Sequence, residues 1–155
     1  GMWVWGLDLP RSVHRGLAGE GFSVYAASRD GFVYALDRKT GKLRWKAGIG
    51  GAVTSMPAVA TAGGLPVAVY AVSREGLAVC LNPHTGHVVW QKPLPGYRWD
   101  GQEGNGVLSG PAVVTTPTAT GSRRAIYIGA MTVDPNNPAR KTAAVFRFDD
   151  EIGGE

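Results

Sequence analysis

One stretch of the sequence recurs 45 residues further along the chain with no insertion or deletion. Val24–Trp45 reads VYAASRDGFVYALDRKTGKLRW, and Val69–Trp90 reads VYAVSREGLAVCLNPHTGHVVW. A shorter pair, Val53–Val59 and Val107–Val113, repeats beside these copies. A repeat at a period of roughly 40 to 50 residues is typical of folds that stack one supersecondary unit several times. The repeat therefore constrains the fold more than any other feature of the sequence.

Each period predicts four short strands joined by tight turns. The turns read SRDG and SREG between the second and third strands, and DRKTG and NPHTG between the third and fourth. Asp37 and Asn82 can accept hydrogen bonds from their own turns, and Gly41 and Gly86 can adopt the positive φ that such turns require. Short connections make the strands an antiparallel meander. In the second copy, we expect strands A, B, C and D at residues 57–61, 67–73, 77–82 and 88–94.

The composition agrees with an all-β fold. The chain of 155 residues contains 23 Gly and 10 Pro, which are unfavourable inside helices and frequent in turns. Hydrophobic residues make up 44% of the sequence, which is enough to fill a core and excludes a disordered chain. A four-stranded antiparallel sheet repeated at this period predicts a blade of a β-propeller.

The third and fourth strands carry a family resemblance. Residues 35–45, ALDRKTGKLRW, closely resemble the tryptophan docking motif of the pyrroloquinoline-quinone-like (PQQ-like) propeller repeats. This family includes quinoprotein alcohol dehydrogenases and the outer-membrane assembly lipoprotein. Residues 80–90 are a looser copy, with Asn82 in place of Asp and His87 in place of Lys. The resemblance covers most of the chain.

The resemblance implies a structural role for three tryptophans. In the family, Trp45 and Trp90 would lie on the outer strand and stack between neighbouring blades, and Trp5 would do the same for a preceding blade. Gly41 and Gly86, at the turn of the motif, complete the predicted docking set.

The repeats add up to about three blades. We expect a strand D at residues 3–9, blades at residues 13–45 and 53–94, and a partial blade at residues 107–150. Closed propellers have about four to eight blades. Two alternatives follow: the chain is a partial propeller, or two chains self-associate head to tail into a six-bladed ring, the first strand of one completing the last blade of the other.

The sequence favours a non-catalytic protein. The resemblance to quinoprotein dehydrogenases implies an eight-bladed ring, acidic and amide ligands for calcium, a catalytic Asp and often a pair of adjacent cysteines. This chain has one cysteine, Cys80, which we expect in the core. Its Asp30 and Asp37 belong to turns, and His84 and His87 are expected to be solvated turn residues. We expect no cofactor, and PQQ with calcium only if the chain is a fragment of such a dehydrogenase.

Two long connections mark a candidate binding face. The D–A connection at Pro95–Gly106 and an expected B–C loop at Met131–Lys141 fall at the same end of their blades. Long loops on rigid scaffolds often carry function, and aromatic and Arg side chains are enriched at binding hot spots. The alternative is that the two insertions pack on each other and bind nothing. The candidate face comprises Arg29, Arg74, Tyr97, Arg98, Trp99, Asp134 and Arg140.

Charge and hydropathy narrow the choice of partner. The net charge is +4, but the basic residues occur singly or in pairs, which does not favour nucleic acid binding. No stretch approaches the roughly 20 apolar residues of a membrane helix, and the first ten residues show no signal peptide. Gly1 before Met2 is typical of a cleaved tag. The family resemblance implies a periplasmic or extracellular location. We expect a scaffold or binding module for a protein, a peptide or a cell-envelope component.

Overall fold

The structure, a computed structural model, describes residues 1–9, 17–101, 106–107, 109–119, 121–134 and 136–151. Within these residues the chain forms eleven strands in three antiparallel sheets and no helix. The predicted all-β class is therefore confirmed. None of the described residues belongs to a helix that could cross a membrane.

The first two sheets repeat the same four-stranded meander. Sheet 1 has the order β1 (Leu17–Glu20), β2 (Ser23–Ala27), β3 (Phe32–Asp37) and β4 (Leu43–Gly48). Sheet 2 has the order β5 (Ala58–Ala62), β6 (Leu65–Val72), β7 (Leu77–Leu81) and β8 (Val88–Pro93). The blade expected at 13–45 begins with residues 13–16, which lie outside the described residues.

The sequence repeat is also a repeat of strand register. In sheet 1, Ala35 lies opposite Trp45, and in sheet 2 Cys80 lies opposite Trp90. In both sheets the register shifts directly after this pair, between Ala35 and Leu36 in β3 and between Cys80 and Leu81 in β7. Equivalent sequence positions therefore occupy equivalent places in the two sheets.

The third sheet differs from the expected partial blade. Its order is β11–β10–β9, with β9 at Ala112–Thr118, β10 at Gly121–Asp134 and β11 at Asn137–Glu151. The prediction that Met131–Lys141 forms a loop was wrong. The described residues of this segment other than Asn136 are strand, and β10 and β11 stay paired as far as Val133 and Lys141 before the register shifts. Additional residues that keep forming ladder hydrogen bonds lengthen the hairpin instead of bulging out of it.

Residues 1–9 lie outside the sheets, although residues 3–9 were expected to form a strand D. Strands β4 and β8, the D strands of sheets 1 and 2, pair with β3 and β7 respectively. Within the described part of the chain, no strand equivalent to β3 or β7 lies beside residues 1–9, so these residues have no partner with which to form a strand D.

The core lies between the sheets. Alternate residues of a strand point to opposite faces, so a sheet packed on both faces buries almost every residue of its inner strands. Strand β3 shows this pattern, because Val33, Tyr34, Ala35 and Leu36 are all buried. One apolar cluster joins sheets 1 and 2, and a second joins sheet 2 to sheet 3.

Candidate functional site

Two tryptophans lie against the glycines of the predicted docking set. The indole of Trp45 covers Gly86, and the indole of Trp5 covers Gly41, so that a Cβ at either glycine would lie 2.6 Å from a ring carbon. Trp45 donates a hydrogen bond from Nε1 to the carbonyl of Pro83 at 2.9 Å. Gly41 and Gly86 also have positive φ angles, of 70° and 74° respectively. The fit between ring and turn thus depends on a residue without a side chain.

The third tryptophan of the set has a different partner. Trp90 donates from Nε1 to the carboxylate of Asp150 at 3.1 Å. The hydroxyl of Tyr70 donates to the other oxygen of the same carboxylate. Asp150 occupies the place in the third repeat that Pro83 occupies in the second, since Tyr25, the counterpart of Tyr70, donates to the Pro83 carbonyl. A side-chain carboxylate has therefore replaced a backbone carbonyl as the shared acceptor.

A buried arginine completes this cluster. Arg124 is 6% exposed, lies 3.3 Å from the Asp150 carboxylate through Nη2, and stands over the ring of Tyr70. Its Nε and Nη1 donate to no acceptor within the described residues. Cys80 is buried in the same interface, and burial raises the pKa of its thiol to about 12. The cluster holds sheets 2 and 3 together and leaves the thiol protonated and unreactive at neutral pH.

At the candidate binding face, three of the expected residues come together. The guanidinium of Arg74 lies over the ring of Trp99, 4.3 Å from its centre. Tyr97 donates its hydroxyl hydrogen to the Arg74 carbonyl at 2.7 Å and covers Gly76, where a Cβ would meet its ring. Burial raises the pKa of Tyr97 to about 12, and the negative charges of Glu75 and Asp100 act in the same direction. Arg74 and Trp99 are both partly exposed, so they form a cation–π pair accessible to a partner.

The two insertions hold each other in place. Arg98 receives a hydrogen bond from the N–H of Val133 on its carbonyl and donates its own N–H to the hydroxyl of Thr132. Lys141 forms an ion pair with Asp100 at 3.3 Å. The described part of the connection thus pairs with the edge of β10 beyond its contact with β9; residues 102–105 lie outside the described residues.

The other expected members of the face lie around this centre. Arg29 is partly buried in the β2–β3 turn, the position in sheet 1 that Arg74 occupies in sheet 2. Asp134 accepts a hydrogen bond from the N–H of Asn136 at the tip of the β10–β11 hairpin. Arg140 is exposed on β11 near the same tip. The structure groups Arg74, Tyr97 and Trp99 and places Asp134 and Arg140 on the hairpin.

The profile of the family described as outer membrane protein assembly factor BamB matches residues 1–65. Among solved structures, BamB from Moraxella catarrhalis superposes with a TM-score of 0.58 at 18% identity, covering 88% of this chain and 39% of that chain. Residues 1–65 therefore resemble this family, and the fold of the chain is similar to that of BamB. The three sheets of the chain are propeller blades, and we number blades 1 to 3 as the sheets.

Two further solved structures are similar to the chain in fold. The computationally designed Ika4 protein matches with a TM-score of 0.53 at 15% identity, over 92% of this chain and 78% of that chain. A quinohemoprotein alcohol dehydrogenase, ADHIIG from Pseudomonas putida HK5, matches with a TM-score of 0.53 at 20% identity, over 88% and 21%. The chain thus spans about two fifths of BamB and about one fifth of the dehydrogenase. No curated protein sequence matches it.

The single cysteine and two of the histidines lie in blade 2. Across the described ranges, no three His, Cys, Asp or Glu side chains come together in a way that could hold a metal ion. Cys80 is buried between blades 2 and 3. His84 lies in an exposed turn, and His87 lies just after it. The backbone N–H of His84 donates to the Asn82 side chain, and that of His87 donates to the Thr85 hydroxyl.

Sequence reasoning missed Arg124 and Asp150. The repeat alignment already contained one signal, because Asp150 follows the third copy of the strand that precedes Arg38 and Pro83. Neither that alignment nor the composition indicated that its side chain would replace a carbonyl. No sequence signal indicated Arg124, because the equivalent positions in the other two copies are the apolar residues Phe22 and Val67.

Proposed function

We propose that the chain is a non-catalytic propeller module that binds a protein or peptide through the face around Arg74, Tyr97 and Trp99. The observation that carries the proposal is the stacking of the Arg74 guanidinium on Trp99, 4.3 Å from the ring centre. Arg and Trp are the side chains most often found at binding hot spots. A partner would meet them already in place, which lowers the entropic cost of binding.

The construction of the face supports a rigid binding site. Arg74 is fixed through its backbone, because its N–H donates to the Ala52 carbonyl at 2.8 Å and its carbonyl accepts from Tyr97. The connection that carries Trp99 is bonded to the β10–β11 hairpin at Arg98. Both sides of the cation–π pair are therefore attached to different blades, and the pair lies at their common end.

The charge of the face favours a partner that carries carboxylates. Arg74 stacks on Trp99, and Arg29, Arg98 and Arg140 are further basic members of the candidate face, whereas Asp100 is paired with Lys141. Opposite charges across an interface speed association and exclude wrong partners. The family description of the matching profile refers to outer membrane protein assembly, and this supports a cell-envelope setting for the chain.

Peptide selection tests the proposal without a known partner. A displayed library of random peptides would be selected on the immobilised wild-type chain, and the affinities of the enriched peptides measured by fluorescence anisotropy. We expect acidic peptides that bind Trp99→Ala at least about tenfold more weakly than the wild type, a loss of about 1.4 kcal/mol. Trp3→Ala is the matched control, since Trp3 is 80% exposed and lies outside the face. Equal binding by Trp99→Ala and wild type would contradict the proposal.

The alternative is a segment of a quinoprotein dehydrogenase. It is favoured by the fold match to ADHIIG over 88% of this chain. The test is to add PQQ and calcium and to measure dye-linked alcohol oxidation. Saturable activity would favour the dehydrogenase over the binding module.

A further inference from the structure

Strand β11 is paired along one edge only within the described residues. In blades 1 and 2 the third strand lies between two neighbours, since β3 pairs with β2 and β4, and β7 pairs with β6 and β8. Strand β11 is their counterpart, because Tyr127 lies opposite Arg147 as Tyr25 lies opposite Ala35. Among the described residues it pairs only with β10. An unpaired edge of this length is a template for another strand.

One face of blade 3 exposes apolar side chains at positions that are buried in blades 1 and 2. Val145 is 76% exposed, whereas Val33 and Ala78, its counterparts in blades 1 and 2, are 0% and 2% exposed. Val114 on β9 is also 51% exposed. Beside Val145 lies an apolar groove of about 310 Å³, lined by Gly129, Ala130, Met131, Ala143, Ala144 and Ser109. The face that blades 1 and 2 cover with the next blade is therefore open on blade 3.

Residues 1–9 have the complementary character. Trp5 covers Gly41 as Trp45 covers Gly86, and Leu9 packs on blade 1 at the position that Ile49 and Leu94 occupy on the following blades. These are the contacts of a fourth strand with the next blade. The same segment forms no ladder with the described residues, and Trp3 is 80% exposed. It is docked on one side and unpaired on the other.

We propose that residues 3–9 of a second copy of this chain add to β11 as the fourth strand of blade 3. The register of the other blades fixes the pairing: Ala35 faces Trp45 and Val33 faces Ala47, so Arg147 would face Trp5 of the second copy and Val145 would face Leu7. Trp5 and Leu9 keep their present contacts with blade 1 of their own chain. The exchange is reciprocal, and two chains form a closed ring of six blades.

This pairing satisfies both unpaired edges with one contact. The backbone of β11 gains ladder hydrogen bonds, and the apolar face around Val145 is covered by blade 1 of the second copy. Because each chain gives and receives one strand, the dimer is symmetric and the ring closes. The proposed pairing uses neither Arg74 nor Trp99, so the proposal does not rest on the proposed binding function.

The mass of the full chain in solution is the first test. We expect sedimentation equilibrium to give twice the chain mass of 16.3 kDa. Val145→Asp places a charge in the pairing and should give the single-chain mass with an unchanged circular dichroism spectrum, because Val145 is exposed within one chain. Val89→Asp is the matched control, a 63% exposed valine on β8, and should remain dimeric. A wild-type monomer, or a mass above that of two chains, would overturn the proposal.

Disulfide trapping tests the register. Leu7→Cys and Val145→Cys would be made in separate chains of different tag length, mixed and oxidised. We expect one disulfide-linked heterodimer on a non-reducing gel, and none from Leu7→Cys mixed with Val89→Cys. Cys80 does not interfere, since it is 2% exposed. A dimer that forms no Leu7–Val145 crosslink would overturn strand exchange even if the mass agrees.

Discussion

Trp90 donates its indole N–H to the carboxylate of Asp150 at 3.1 Å, whereas Trp45 donates to the backbone carbonyl of Pro83. The contact between blades 2 and 3 therefore depends on a charged side chain, and the contact between blades 1 and 2 does not. Arg124 offsets that charge from within the same interface. One ion pair has become part of a contact that is otherwise built from backbone and aromatic rings.

Removing this carboxylate should destabilise the chain strongly. Asp150→Ala leaves Arg124 buried without its counter-charge, and breaking a buried pair in this way costs about 3–5 kcal/mol. Asp149→Ala is the neighbouring control, since Asp149 pairs with Arg147 at the surface and exposed pairs contribute about 0–1 kcal/mol. Urea denaturation of the two variants measures the difference. Similar midpoints for both would show that the Asp150 cluster does not stabilise the interface.

The predicted docking glycines can be tested against a glycine in open space. Gly86→Ala adds a Cβ that would lie 2.6 Å from the Trp45 ring, at a φ of 74°. Gly64 has nearly the same φ, 77°, with nothing within 4 Å of its Cβ position. Gly64→Ala should therefore show only the backbone strain of about 1–2 kcal/mol. We expect Gly86→Ala to lose clearly more stability in thermal unfolding, because Trp45 must also move. Equal losses would mean that the ring does not occupy this place.

Tyrosine ionisation should weaken the fold at alkaline pH. The pKa of Tyr97 is raised from 10.0 to about 12, chiefly by burial. Its contribution to stability is complete below pH 10, where both states are protonated, and is lost as the pH rises towards 12, because the unfolded state ionises first. Denaturant unfolding between about pH 9 and 11 should show a steeper loss for wild type than for Tyr97→Phe. Parallel curves would contradict a buried phenol.

The repeat predicted the strands of blade 2 better than those of blade 3. In blade 2 the expected strand C at 77–82 and strand D at 88–94 agree with β7 and β8 to within one residue, because Gly, Asn and Asp end each strand in a defined turn. The extra residues of the third copy have no counterpart in the other two, and so the repeat predicts a loop there. Their pairing is decided by hydrogen bonds between β10 and β11, which alignment to a shorter repeat cannot indicate.

The candidate face was predictable in part for a similar reason. Arg74 belongs to a turn whose position follows from the repeat, Tyr97 belongs to the long connection after β8, and a hydrogen bond joins the two residues. The attachment of Arg98 to the hairpin depended on the hairpin being extended. Whether the whole face binds a partner stays a prediction.

Trp99 and Trp45 should differ sharply in their effect on stability. Trp99→Ala removes a partly exposed ring from Arg74, and such cation–π pairs contribute about 0.5–1 kcal/mol. Trp45 is 8% exposed, and truncating a buried aromatic costs about 3–5 kcal/mol. Calorimetry of both variants checks the order. A loss of soluble protein with Trp99→Ala would show that this ring belongs to the core and not to a binding face.

Hydrogen exchange at the tryptophan indoles tests the contacts between blades most directly. Nitrogen-15 NMR resolves the five indole N–H resonances, and single Trp→Phe variants assign them. Trp45 and Trp90 donate to partly or fully buried acceptors across blade boundaries, and Trp3 is 80% exposed. We expect slow exchange at Trp45 and Trp90 and exchange at the solvent rate at Trp3. Exchange of all three at the same rate would contradict blades held together by docked tryptophans.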